Sequence, residues 1–187
     1  MITKLKPLTI ADWDAMPAED GYRYEIIEGE LFVSYSPGLT HQMVLTELIF
    51  VIGSFLKANP IGTIVSTPGV VLSNFSGVIP DLVFFSHEQR DTIVKDDRLY
   101  GPPALVIEIL SPDSVDVRRD RIAKLQLYAK HGVPEYWIID PRIMTLERYV
   151  DQGSSLTLSE TLRYEDSLST TSLPGFSCQM SEIFKRL

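Results

Sequence analysis

The sequence is short of the residues that would build a zinc site or a disulfide. It holds one cysteine, Cys178, and three histidines, His41, His87 and His131, that stand far apart without ligand spacing. A lone cysteine cannot close an internal disulfide, so nothing points to an oxidising compartment. The same scarcity argues against tetrahedral zinc. Positive charge is also scarce: 17 Lys and Arg stand against 25 Asp and Glu, a formal net charge of -8. A broad basic surface for gripping nucleic acid is therefore not advertised. An enzyme that meets phosphate through a bound cation is not excluded, because a carboxylate-rich site makes its own chain acidic. The longest apolar segment, Val44 to Leu56, is broken by Thr46, Glu47, Gly53 and Ser54; it reads as too short and too polar to span a bilayer. The start, "MITKLKPLTIADWD", lacks the apolar stretch of a secretion signal. These features predict a cytoplasmic chain with no membrane partner. The length of 187 residues suits one domain, 1–187, with its own core.

Turn residues and hydrophobic periodicity give the order of elements. Thr9 caps a short helix through Met16. "YRYEIIEGELFVSY" alternates around Glu28-Gly29 and predicts a β-hairpin. Thr40 to Ala58 predicts a long helix; at about 100° per residue its apolar face carries Val44, Leu45, Leu48, Ile49, Val51, Ile52, Phe55 and Leu56. On that count Glu47 falls off the stripe and is expected in solvent. "GTIVS", "GVVLS" and "IPDLVFFS" are strand-like, and residues 87 to 103 read as an irregular polar excursion. A strand from Ala104 to Leu110, a helix from "SPDS" to about Lys130 and the strand "EYWIID" form a βαβ crossover, which predicts parallel strands. Strands near 143–150 and 155–164 and a short helix from about Ser181 complete the chain. "DLVFF" and "ALVIEIL" are apolar at consecutive positions, as in strands covered on both faces. The centre is thus expected to be a mixed sheet flanked by helices.

One residue does not fit that centre. Six of the seven residues from Ala104 to Leu110 are apolar, and the seventh is Glu108. An ionised carboxylate in a core costs several kcal/mol without compensation. Glu108 needs a lysine or arginine partner, a proton, or a metal ion. Asp81, just after Pro80, poses a milder version of the problem; it is either a strand-end residue bonded to nearby backbone or a second acid. If both acids converge on one divalent cation, oxygen-only ligation favours Mg²⁺ or Mn²⁺. Lys124 is either half of an exposed pair with Asp120 or a side chain reaching around to Glu108; Ile122, Leu125 and Ala129 give its helix an apolar stripe. His41 falls mid-stripe on the long helix, either as a core histidine or as part of a site. Glu25 sits in the hairpin between tyrosine and isoleucine.

The pieces "YEIIEGEL", "SPGLTHQ", "IPDLVFF", "ALVIEILSPDS", "DRIAKLQLYAKHGVPEYWIIDP" and "LPGF" follow one another in an order that resembles the Uma-two family, restriction-endonuclease-like proteins of the PD-(D/E)XK nuclease superfamily. The resemblance runs from about Tyr22 to Phe176. It implies a restriction-endonuclease-like α/β fold with core order α-β-β-β-α-β, plus an N-terminal hairpin and C-terminal β additions. It also implies a Mg²⁺- or Mn²⁺-dependent endodeoxyribonuclease acting transiently on DNA. The superfamily aspartate maps onto Asp81 and its acidic partner onto Glu108, with the peptide oxygen of Ile109 completing the metal site. The usual lysine two residues after the glutamate is replaced by Leu110, and the position moves to Lys124. Glu25 and His41 match family positions as supporting residues. By analogy a homodimer could cut both strands. The rival is a nuclease-like fold kept as an interaction or assembly module, which the acidic charge and Leu110 favour. A glycosidase would want an aromatic sugar platform, whereas Trp13 and Trp137 sit in segments whose own structure accounts for them.

Overall fold

The computed structural model describes residues 6–17, 21–111, 119–153 and 155–187, with only the backbone of Arg119 and Asp120. The part of the crossover helix expected over 112–118 lies outside the described residues.

Helix α1 (Ile10–Asp14) starts at Thr9, whose side chain and backbone exchange hydrogen bonds with Asp12 in a capping box. Strands β1 (Tyr22–Ile27) and β2 (Glu30–Tyr35) form the expected hairpin. Glu28 and Gly29 both have positive φ (52° and 83°), as a two-residue turn matching the strand twist requires. Helix α2 (Leu39–Ala58) comes next. Strands β3 (Gly62–Ser66), β4 (Val70–Ser73), β5 (Ser76–Val78) and β6 (Leu82–Ser86) lead to helix α3 (His87–Ile93). Strands β7 (Val94–Lys95), β8 (Arg98–Tyr100) and β9 (Leu105–Ile109) precede a π-helical segment, Arg119–Lys124, that runs into α4 (Leu125–Lys130). Strands β10 (Glu135–Asp140), β11 (Thr145–Asp151), β12 (Leu156–Arg163), β13 (Ser167–Ser169) and β14 (Ser177–Gln179) and helix α5 (Met180–Ile183) end the chain.

Among the described residues the strands form two six-stranded sheets and one short pair. The central sheet has the order β12-β11-β10-β9-β6-β3, and the hairpin sheet β2-β1-β5-β4-β8-β7. In the central sheet β9 and β10 are parallel and the other neighbours antiparallel. This is the expected α-β-β-β-α-β core, running α2, β3, β6, β9, α4, β10. Alternation divides β9 between two cores. Leu105, Ile107 and Ile109 pack with Val44, Leu48 and Ile52 of α2 and with the C-terminal elements. Val106 packs on the opposite side with Val83, Tyr136, Ile138, Leu127 and Tyr128, against residues of the hairpin sheet.

Four expectations are corrected. Residues 87–103 are not irregular: Ser86 caps α3 in a capping box, and β8 runs parallel to β4. Glu47 is buried, not solvated, because the C-terminal tail folds over it; Lys185 lies 2.7 Å from its Oε2 and Arg186 meets its Oε1. The Lys185 hydrogen bond holds its carboxyl below the usual range. Ile122 is half exposed while Lys124, Leu127 and Tyr128 are buried. A constant 100° count cannot cross a π-helical turn, which is wound more loosely and shifts the phase of the residues after it. Finally, α2 extends at both ends beyond the apolar segment Val44 to Leu56. By length and hydropathy alone its 20 residues meet the measure for crossing a membrane, but here Val44, Leu45, Leu48, Ile52 and Leu56 are a buried core face.

Candidate active site

Side chains from β1, α2, the residue before β6, β9 and the helix after it meet in one buried cluster. Strand alternation puts Arg23 and Glu25 on the same face of β1. The register of β6 against β9 pairs Leu82 with Ile107. Continued by one residue, it sets Asp81 opposite Glu108, where antiparallel partners share a face with Cβ atoms about 5 Å apart. The backbone N–H of Ile109 donates to Asp81 Oδ2 at 2.9 Å, which turns this carboxylate across to the neighbouring strand.

Asp81 is 3% exposed. Its Oδ1 accepts from Arg23 Nη1 at 3.1 Å, and its Oδ2 lies 2.9 Å from His41 Nε2. An ionised carboxylate only accepts, so the His41 proton in this contact sits on Nε2. Burial would raise the Asp81 pKa, but the hydrogen bond and charge of His41, the Arg23 charge and the Ile109 N–H together outweigh it and bring the group to about 2. His41 Nδ1 is buried without a hydrogen-bond partner among the described residues.

Glu108 is met by side chains of the following helix. Lys124 Nζ lies 2.7 Å from Glu108 Oε1, and the Tyr128 hydroxyl donates to the same oxygen at 3.0 Å. Lys124 is 1% exposed and lies 2.9 Å from Glu25 Oε1 as well. Glu25 Oε1 in turn accepts from the Ile79 N–H at 2.7 Å. The question raised by a carboxylate in an apolar strand thus has a structural answer: Glu108 is matched by an ammonium ion and a phenol, not exposed to water. Burial first, then the charge of Glu108, pushes the Tyr128 phenol well above its ordinary range, so it stays a neutral donor.

Of the residues singled out from the sequence, Glu25, His41, Asp81, Glu108 and Lys124 enter the cluster through their side chains, and Ile109 enters through its N–H on Asp81 where its carbonyl was expected to serve. Lys124 is not in an exposed surface pair, and the Asp120 side chain lies outside the described residues. Arg23 and Tyr128 were not singled out. Each had a signal: Arg23 is two residues from Glu25 on an alternating strand, and Tyr128 is four beyond Lys124, one helical turn away.

The donor chemistry fits a hard divalent cation: two carboxylates from adjacent strands, with no thiolate among the described residues of the cluster. Three carboxylates (Glu25, Asp81, Glu108) face Arg23, His41 and Lys124, so the cluster already holds positive charge of its own. Among the described residues no three His, Cys, Asp or Glu side chains are disposed to hold a metal together. A cation would accordingly draw ligands beyond Asp81 and Glu108 from the Ile109 carbonyl and from water or substrate.

A family model described as "Putative restriction endonuclease" (Uma2) matches residues 10–181. The chain belongs to this family. The Uma2 chain is also similar to a solved structure described as a putative nuclease of DUF820 from Anabaena variabilis ATCC 29413, with a TM-score of 0.75 and 22% identity over 96% of this chain and 98% of that one. The likeness shows a common fold. A type IIG restriction endonuclease, BpuSI, superposes with a TM-score of 0.44 and 11% identity over 82% of this chain and 16% of that one. The search of curated proteins gave no match.

Proposed function

We propose that this Uma2 protein is a divalent-metal-dependent endonuclease hydrolysing phosphodiester bonds of DNA, with Asp81, Glu108 and Lys124 as its catalytic residues. The observation that carries the proposal is a pair of buried carboxylates on neighbouring strands with an ammonium group 2.7 Å from one of them. Membership of a restriction-endonuclease-like family supports it. Mg²⁺ or Mn²⁺ held by Asp81, Glu108 and the Ile109 carbonyl would acidify a bound water and offset charge on the phosphate oxygens.

The side chains contribute separately. Asp81, at about 2, is an anionic oxygen ligand throughout the neutral range. Arg23, His41 and the Ile109 N–H position its carboxylate. Glu25 and Glu108 fix Lys124 between them, so its charge can orient a water or stabilise a phosphate oxygen in the transition state. Tyr128 steadies the Glu108 oxygen that Lys124 also meets.

A second reading is an inactive nuclease-like fold acting as an interaction or assembly module. It is favoured by the internal cationic partners that Asp81 and Glu108 already have. Melting with and without millimolar Mg²⁺ or Mn²⁺, together with DNA cleavage, separates the two. The nuclease gains stability with the cation and cuts DNA; Glu108→Gln loses both responses while remaining folded. A parent whose melting ignores both cations and which leaves DNA intact is the module. Cleavage by Glu108→Gln at the parent rate would remove Glu108 from the mechanism.

A further inference from the structure

The hairpin sheet ends in an open strand. In its order β2-β1-β5-β4-β8-β7, β2 has a neighbour on one side only among the described residues. The two-residue turn at Glu28-Gly29 makes Ile27 and Glu30 the first hydrogen-bonded pair, and bonded and non-bonded pairs then alternate along the ladder. Glu30, Phe32 and Ser34 thus direct their backbone groups to β1. The Ser36 N–H continues that phase by donating to the Gly21 carbonyl at 2.9 Å. Leu31, Val33 and Tyr35 turn their N–H and C=O groups to the open edge.

The same three residues share the outer face of the strand. They are 43%, 45% and 69% exposed. Helix α1 covers this face farther in. Trp13 and Ile10 lie so close to Gly77 that a Cβ there would clash with them, and Gly77 pairs with Ile26, which is fully buried. Ile26 stands opposite Leu31, so among the described residues the cover stops one strand short of the edge. Edge strands usually carry a lysine, a proline or a bulge that keeps another strand from adding. Strand β2 has none of these. It pairs with β1 without a register shift, and its one charge is Glu30, at its end.

We infer that β2 is the docking edge for a second copy of this chain, the two β2 strands pairing antiparallel about a two-fold axis that passes between their Val33 residues. Such a contact uses the same patch on both copies and closes on itself. Its register follows from the strand's own sequence. With Val33 opposite its copy, Leu31 meets the partner's Tyr35, so all three outer-face residues find apolar neighbours. The pair on the axis is a hydrogen-bonded one, and the edge groups of Leu31, Val33 and Tyr35 are all satisfied. Tyr22 braces the Tyr35 ring, with centroids 5.2 Å apart. Charge permits the match. A net charge of -8 works against self-association in general, but Glu30 meets the partner's Ser36. The two Glu30 positions stand about 20 Å apart along the ladder, beyond the ~8–10 Å over which exposed charges act in salt. Strand β1, with Arg23 and Glu25, lies directly beside β2, so one continuous sheet would join the two buried clusters. This pairing is independent of any nuclease activity.

The test uses the full chain and needs no substrate. Sedimentation velocity from about 1 to about 100 µM should show the mass rising from that of one chain toward that of two. Hydrogen exchange, read amide by amide in the unaltered chain, should slow at Leu31, Val33 and Tyr35 over the same range. Glu30, Phe32 and Ser34, already bonded to β1, should not change. Val33→Lys sets two ammonium groups face to face across the axis and should weaken association more than about 10-fold, and Val33→Glu should do the same with two carboxylates. An equimolar mixture of the two variants should associate again, because lysine then faces glutamate. A parent that stays a single chain throughout, its edge left to another partner or to none, would overturn the inference. So would a dimer that Val33→Lys leaves intact, a mixture no tighter than either variant alone, or exchange that slows elsewhere and not at these three amides. If a variant fails to fold, the exchange pattern of the unaltered chain decides.

Discussion

Replacing Lys124 by methionine tests whether the ammonium holds the cluster together. Methionine has a similar length and no charge. In the parent, Nζ lies 2.9 Å from Glu25 and 2.7 Å from Glu108, and all three side chains are 1–2% exposed. Removing one member of a buried ion pair typically costs about 3–5 kcal/mol, because the opposite charge stays behind in a poorly solvating place. Here two carboxylates lose a shared cation, so the upper half of that range is expected near neutral pH. For a chain of this size it corresponds to a fall in melting temperature of roughly 8–20 °C. Two further signs are specific. The deficit should narrow as pH falls, since protonation relieves acids that have lost their counter-charge. Millimolar Mg²⁺ should return more stability to Lys124→Met than to the parent, because the metal would replace the missing positive charge. Calorimetry across pH, with and without Mg²⁺, reads all three. A variant within about 0.5 kcal/mol of the parent at neutral pH would show that Lys124 does not compensate these acids.

Asp81 lies near 2 against an ordinary 3.8. A depressed carboxylate contributes stability that is complete above its unfolded value and is lost as pH falls from about 4 to about 2, here about 2 kcal/mol. The stability gap between parent and Asp81→Asn, measured by urea unfolding, should therefore shrink across that window; a gap independent of pH would contradict the shift. Glu135 is a second buried acid, and its role is structural. It accepts from Trp137 Nε1 at 2.6 Å, Thr170 Oγ1 at 2.5 Å and Ser172 Oγ at 2.7 Å. Glu135→Ala strands those donors and should cost about 3 kcal/mol in urea unfolding, with Glu135→Gln costing less; a loss under about 1 kcal/mol would mean the donors find water instead.

Local sequence patterns carried most of the scaffold. The Glu28-Gly29 turn, the α2 stripe and the two continuously apolar strands each state their geometry within a few residues, and the resemblance supplied their connection. What escaped depends on distant chain. Nothing near Glu47 announces that Lys185 and Arg186 will cover it. Glu135 looks like the first residue of an apolar strand until Thr170 and Ser172 arrive beside it. The Lys124 helix was harder for another reason: its phase is set by a local change of winding that periodicity assumes away. The site was legible through Glu108 because a charge in an apolar run is a thermodynamic contradiction that demands a partner. Arg23 and Tyr128 raise no such contradiction alone, being an arginine on an alternating strand and a tyrosine on an amphipathic helix.

The loosened winding of Arg119–Lys124 gives chain length a chemical meaning at this point. A π turn accommodates an extra residue within an otherwise ordinary helix. Deleting one residue there would let the backbone tighten and swing everything upstream by roughly 100° relative to α4, so that strand β9 and the lysine could no longer be addressed by the same span. Among relatives that keep this arrangement, gaps should be scarce between strand β9 and Tyr128, and a shortened copy should carry its positive charge at a different helical position. Spacing at this point would then be inherited as strictly as residue identity.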